Sequence, residues 1–486
     1  LEDNYCQEEV TILFEEVFER VQYYKKLGLN PLALATGCAV KVDLLKVVYP
    51  AIRTLREELK GSGLSIAPRE DALIIHGEVF EIYRRVYQLG GGAGTSLHDL
   101  KSISREGKLY AVAVLQIFQR YADSPESFLE KVAPIYRALA KSGISIILGK
   151  GHSILTPFPD DEFMLFDFIP GSNGGDGFTI VNNDTIHIID PSQEPGDTKQ
   201  VSGAISNSFN DVFVLGAHKK LRMLPVLNAP TEELLDKLWS EVKRFASQYG
   251  IDVINVEQPR KGRLLMGATT IGYNDKTPPV FEDEVSAGMK LIITRPMGEL
   301  APINLYLSSI IDESLVKDLG DYGIPFEEVE RAKNKAVELI SKPNIEASAA
   351  IYKYLPDTPE QFRRDEHIVV TTDVTGPGIF VIKELAERTK TKIKLFNVPL
   401  LFPEISKIVT KLYVMPNSTS GTNGPFIIVA PDTIIDDLIK ELRSKGLDPI
   451  IMGEVIEKNV KPEVIAPREL KDYIADQKIL SEFILE

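Results

Sequence analysis

Ile368-Val369-Val370-Thr371-Thr372-Asp373-Val374-Thr375-Gly376-Pro377-Gly378 is the stretch that decides the fold of this chain. Its apolar, β-branched start reads as a strand. Asp373 stands at the end of that strand. Gly376-Pro377-Gly378 makes the turn, and the run 379–389 that follows has helical spacing. A strand, a glycine turn and a helix form the repeating unit of α/β folds, and ligands gather at the carboxyl ends of such strands. Glycines there let the backbone approach a ligand closely.

Working outward, the same alternation extends on both sides. Strands are expected near 290–294, 367–371, 392–396, 425–430 and 449–453, with helices between them. This unit begins at about Ala287, after the polar, Pro-containing stretch 274–284. Upstream, short apolar runs at 144–148, 163–169, 178–181 and 185–189 read as strands. A helix at 201–215 and a strand at 223–227 follow. Thr231 caps a helix reaching Tyr249, with Glu232 and Glu233 in its first turn. Strands return at 251–256 and 264–272.

The first third reads as helical. Val10, Leu13, Phe14, Val17 and Val21 repeat at helical spacing, as do Leu44, Val48, Ile52, Leu55 and Leu59. Runs 72–89 and 109–121 keep the pattern, and Pro125 opens another that ends near Gly143. The expected organisation is an arm at 1–45, a helical insertion at 46–145, an α/β domain at 146–286 and a second α/β domain at 287–486.

The 486 residues are 44% hydrophobic and 26% charged, as in an ordinary globular protein with more than one core. A net charge of −15 argues against nonspecific binding to nucleic acid or anionic membranes. Two cysteines, Cys6 and Cys38, make no disulfide framework and fit a reducing cytoplasm. No apolar run is long enough to span a membrane, and the acidic start lacks the pattern of a signal peptide. The six His lack metal-ligand spacing, which argues against zinc. Gly90-Gly91-Gly92-Ala93-Gly94 lacks the Lys of a phosphate loop and reads as a linker.

Several segments carry chemistry. Gly37-Cys38-Ala39-Val40-Lys41 sets a thiol and an amine three residues apart, and a nearby ammonium favours the reactive thiolate. Gly175-Asp176-Gly177 precedes two expected strands that end at Asp190. Ala204-Ile205-Ser206-Asn207-Ser208-Phe209-Asn210-Asp211 puts Asn207 and Asp211 on one helical face. Ala287-Gly288-Met289-Lys290-Leu291-Ile292-Ile293-Thr294-Arg295-Pro296-Met297-Gly298, Ser418-Thr419-Ser420-Gly421 and Met452-Gly453-Glu454-Val455 follow in order.

This ordered set resembles the selenophosphate synthetases (selenide, water dikinases), over residues ~30–45 and ~165–460. The resemblance implies two aminoimidazole-ribotide-synthetase-like α/β domains preceded by an extra helical segment. It implies ATP- and Mg²⁺-dependent phosphoryl transfer to a small chalcogen nucleophile, with selenide as acceptor. Asp176, Asp190, Asp211 and Asp373 would hold Mg²⁺, which favours hard oxygen ligands together with substrate phosphates. Lys41, Asp176, Asp190, Asn207, Asp211 and Thr372 would bind ATP. Cys38 and Lys41 would be catalytic, handling the chalcogen and the transferred phosphoryl group respectively. A homodimer paired through the sheets of the first α/β domain is implied too.

The chain departs from that family at Asp176, where two adjacent acids are usual, and at Thr422, which replaces a glycine. It also has Val256-Glu257-Gln258-Pro259 where a Gly-Gly turn normally helps bind nucleotide. The alternatives are another reaction of the same wider superfamily, or a non-catalytic relative that binds nucleotide or a partner.

Overall fold

The computed structural model of the protein describes residues 2–27, 29, 64–68, 72–77, 126, 146–149, 154–157, 178–254, 264–312 and 314–486. Near the start, helix α1 (Glu2–Lys26) is followed by a three-stranded antiparallel sheet of β1 (Leu64–Pro68), β2 (Ala72–Gly77) and β3 (Ile146–Gly149). β2 corrects the helical reading of 72–89 at its start. Leu73-Ile74-Ile75 is too short for periodicity to separate helix from strand, and two β-branched residues ahead of Gly77 favour the strand. The rest of the expected insertion lies outside the described residues, apart from β1 and Glu126.

A five-stranded sheet has the order β4-β5-β8-β6-β7, with β4 Ile154–Pro157, β5 Phe178–Ile186, β6 Lys219–Pro225, β7 Asp252–Val253 and β8 Met266–Asn274. The two expected strands at 178–181 and 185–189 are one. Asn182-Asn183-Asp184 looks like a break in sequence, but it continues the ladder to β8 without a bulge. The amide nitrogens of both asparagines find partners: Asn182 donates to the Ser208 carbonyl at 3.0 Å and Asn183 to Thr269 Oγ1 at 2.9 Å.

Helices α2 (Thr198–Phe213) and α3 (Glu232–Tyr249) belong to this sheet. Asp197 caps α2 by accepting from Lys199 N, and Thr231 caps α3 by accepting from Leu234 N at 3.2 Å. Gly250 ends α3 in the left-handed conformation. The capping residue and end of α3 agree with the sequence reading.

The second sheet has seven strands in the order β10-β12-β9-β13-β11-β14-β15. They are β9 Lys290–Ile293, β10 Val370–Asp373, β11 Thr391–Leu395, β12 Phe426–Ala430, β13 Ile450–Lys458, β14 Glu463–Ala466 and β15 Ile484–Leu485. Between them lie α4 (Leu300–Ile311), α5 (Phe326–Ile340), α6 (Ile345–Lys353), α7 (Val381–Thr389), α8 (Pro403–Lys411) and α9 (Asp432–Ser444). Every residue of β12 is buried. Phe426, Ile428 and Ala430 face a core shared with α2–α6, whereas Ile427 and Val429 face a second core with α7. A strand with period-two side chains must be apolar throughout when both sheet faces are covered, which explains Phe426-Ile427-Ile428-Val429-Ala430.

The first of these cores is continuous from the five-stranded sheet through α2–α6 and α9 to one face of the seven-stranded sheet. α1 joins it through Phe14, Val17 and Val21, which the helical spacing put on one face, and through Tyr24. The Phe14 ring meets Phe326 of α5 at 5.1 Å, and Tyr24 donates to the Gln193 carbonyl at 2.8 Å.

Replacing Thr231 with Ala removes the α3 cap. The expected loss is about 1 kcal/mol of unfolding free energy, read as a lowered urea midpoint, with Thr231→Ser near the wild type.

Candidate functional site

α2 is buried along almost its whole length, including its polar residues. Ser208 seats it on the five-stranded sheet. The Ser208 hydroxyl donates to the Asp184 carbonyl at 2.8 Å and accepts from Ala268 N, while its own carbonyl accepts from Thr270 Oγ1 at 2.6 Å and Asn182 Nδ2. One residue earlier and two later, Asn207 and Asn210 leave the helix on the side of the second sheet.

Asn207 bridges the two α/β units. Its Nδ2 donates to Asp184 Oδ2 of β5 at 2.6 Å. Its Oδ1 accepts from Asn423 N at 2.7 Å and Thr422 Oγ1 at 2.9 Å. Asn210 does the same one turn on. Its Nδ2 donates to Asp373 Oδ2 at 3.1 Å and to the Gly424 carbonyl at 3.3 Å, and its Oδ1 accepts from Asn344 at 2.7 Å. Thr371 of β10 donates to the Val214 carbonyl at the end of α2, 2.6 Å away. Asp373 therefore ends β10 in a seam of amides, carbonyls and hydroxyls between the two sheets, with its side chain largely buried.

The segment 417–424 forms the far wall of this seam. Gly424 lies so close to Val374 that a Cβ would stand 1.7 Å from the Val374 carbonyl oxygen. Val374 N in turn donates to the Pro425 carbonyl at 2.8 Å. The close approach permitted by Gly378 is to this same wall, since a Cβ there would stand 2.3 Å from Thr419 Oγ1. Behind the wall, Glu299 is fully buried and pairs with Arg295. Burial pushes the Glu299 carboxyl up from the ordinary carboxylate value, against the opposing pull of the Arg295 guanidinium.

Asp190 lies apart from this seam. Its Oδ1 accepts from Ser192 N at 3.0 Å and from the Ser192 hydroxyl, and its Oδ2 pairs with Lys333 of α5 at 3.2 Å. Both side chains are 3% exposed. Lys333 also lies 4.6 Å from the centre of the Tyr306 ring. The Asp190 carboxylate is thus engaged by Lys333 and Ser192.

The expected site residues thus divide. Asn207 and Asp373 share the seam, Asp211 is half-buried beside it on α2, and Thr372 is half-buried on β10 opposite Ile427. Asp190 sits with Lys333. Cys38, Lys41 and Asp176 lie outside the described residues. Among the described residues, no three His, Cys, Asp or Glu side chains gather as a metal cage. Asn210, Asn344 and Asn423 were not singled out from sequence. Asn210 had a local signal, being one helical turn from Asn207. Asn344 and Asn423 join only through the tertiary fold.

No protein family matches the sequence, and no curated protein matches it. Solved structures to which the chain is similar include thiamine monophosphate kinase from Aquifex aeolicus. That match has 16% identity and a TM-score of 0.41, covering 60% of this chain and 88% of that one. The hydrogenase maturation protein HypE from E. coli is similar at 17% identity and a TM-score of 0.41, covering 59% and 82%. Thiamine-monophosphate kinase from Stenotrophomonas maltophilia gives 14% and 0.41, covering 60% and 89%. Likeness of this degree assigns neither a family nor an activity.

Lys333→Met leaves Asp190 buried without its cation. The expected cost is about 3–5 kcal/mol in denaturant unfolding. The double replacement Asp190→Asn/Lys333→Met removes both charges and should recover most of that loss.

Proposed function

We propose that this chain is an ATP- and Mg²⁺-dependent phosphotransferase whose nucleotide binds at the seam between the two α/β units. The observation that carries the reading is Asp373, a carboxylate ending β10 beside the polar residues of α2. Further support comes from the ordered sequence motifs that resemble selenophosphate synthetases.

The donor set fits a hard cation. Asp373 and Asp211 offer carboxylates, and the seam around Asp373 is built from amide and carbonyl groups. Mg²⁺ commonly takes one or two carboxylates and completes its shell with water and substrate phosphates. When bound, it would neutralise charge on the phosphates. Asp373 and Asp211 would take that role, while Asp190 pairs with Lys333. Asp176 would join them from the segment before β5.

This chain's own residues would do the rest. Asn210 holds the Asp373 carboxylate in one orientation, so a ligand meets a preorganised acceptor. Asn207 ties α2 to the 417–424 wall and keeps Asp211 at a fixed distance from it. Lys41 would stabilise charge on the transferred phosphoryl group and Cys38 would receive the chalcogen, selenide being the acceptor the resemblance favours. The enzyme would work as a homodimer. A second reading, nucleotide binding without turnover, draws on the ion pair that occupies Asp190 and on the loss of the Gly-Gly turn at 256–259.

Mg-ATP should raise the melting temperature of the wild type, because a ligand of the folded state alone stabilises by about 2.7 kcal/mol at roughly 100 times its Kd. Asp373→Asn should lose most of that shift; an unchanged shift would dismiss the metal role. ATP turnover with and without selenide then separates the readings. Cys38→Ser should lower selenide-dependent turnover while nucleotide binding persists, and Lys41→Ala should lower turnover itself. Binding without turnover in the wild type would favour the second reading.

A further inference from the structure

Arg295 and Glu299 are the charged residues behind the seam, and neither belongs to the expected site. Both are buried, with Arg295 7% and Glu299 0% exposed. One guanidinium nitrogen of Arg295, Nη1, meets Glu299 and the Pro296 carbonyl. The other, Nη2, donates to the Asn423 carbonyl at 2.9 Å. Asn423 is held at φ 46°, a left-handed conformation that non-glycine residues seldom adopt. Its backbone N–H donates to Asn207, and its side-chain amide donates to the Ile340 and Lys342 carbonyls at the end of α5, each at 2.7 Å.

Glu299 touches the same segment from below. A Cβ on Gly421 would stand 2.2 Å from Glu299 Oε2, and Leu300 N donates to the Ser420 carbonyl. The segment 420–424 therefore lies on the ion pair on one side and on Asn207 and Val374 on the other. Val374 follows Asp373 directly. A shift of this segment moves the partners of Asn207 and the Gly424 carbonyl that holds Asn210, which in turn holds Asp373.

We infer that Arg295 and Glu299 are positioning residues for the nucleotide site: their ion pair sets the 420–424 segment, which in turn sets Asn207 and Asp373. This rests on the phosphotransferase reading for the identity of the ligand, a Mg-nucleoside triphosphate. The planar fork of arginine is essential to it. One arm reaches the carboxylate and the other reaches the backbone, a division that a lysine ammonium cannot reproduce.

Two variants test the inference. Arg295→Lys keeps the charge opposite Glu299 and loses the arm to Asn423. Arg295→Met/Glu299→Met removes the pair together, so no buried charge is orphaned and the fold is retained. In both, the Kd for Mg-ATP by calorimetry should rise about 10-fold to 100-fold, the range seen when partners of metal ligands are removed. Circular dichroism and the melting temperature without ligand should stay near the wild type. Amide hydrogen exchange at Thr422 and Asn423 should speed up in both variants. A folded double variant that binds Mg-ATP like the wild type overturns the inference. If the wild type itself has no affinity for Mg-ATP, the phosphotransferase reading fails, and exchange decides the positioning on its own. Faster exchange at 422–423 then upholds it, and unchanged exchange overturns it.

Discussion

The structure depends on one helix whose polar residues are buried. α2 carries Ser206, Asn207, Ser208 and Asn210 into a core where each must find a partner or lose the free energy of desolvation. The five-stranded sheet supplies partners to Ser208, and the 417–424 segment and β10 supply them to Asn207 and Asn210. Neither sheet alone can satisfy the helix. The two α/β units are held in register because the amides of α2 are satisfied only when both are in place. Apolar packing, which is non-directional, could not fix that register so closely.

Around this helix, among the described residues, two ion pairs are buried with both side chains under 10% exposed. Lys333–Asp190 ties α5 to the turn after β5, and Arg295–Glu299 supports the segment that faces Asn207. Buried pairs add little net stability, because desolvation offsets most of the Coulomb attraction. Their contribution here is geometric. Each also carries a neutral hydrogen bond or ring contact on its cation: Lys333 with Ser192 and Tyr306, Arg295 with the Asn423 carbonyl. The cation thereby fixes neighbouring backbone as well as its carboxylate. α1 is fastened beside the first of these pairs, where Arg20 donates to the Ser192 carbonyl and Gln200 donates to Tyr24.

Much of the local structure was legible in the residues. The cap at Thr231, the fully apolar strand at 426–430 and the buried stripe of α1 follow from capping chemistry and periodicity. The errors have a shared cause. At 72–77 a short apolar run fits both periods, and at 182–184 polar residues look like a turn when read alone. In the second case the asparagines stay in the strand with their amide nitrogens donating to partners on α2 and β8. Those partners are 26 and 86 residues away in sequence.

The candidate site divides along the same line. The sequence by itself determined that Asp373 ends a strand before a glycine turn, and that Asn207 and Asp211 share a face of one helix. These facts depend on neighbours within a few residues. Only the tertiary structure decided that Asp373 meets Asn210, 163 residues away, and that Asp190 pairs with Lys333, 143 residues away. A carboxylate in a turn has the same local signature whether its partner is a cation of the protein or one of a ligand. The difference lies in the field of a distant helix, which periodicity and motif spacing do not record.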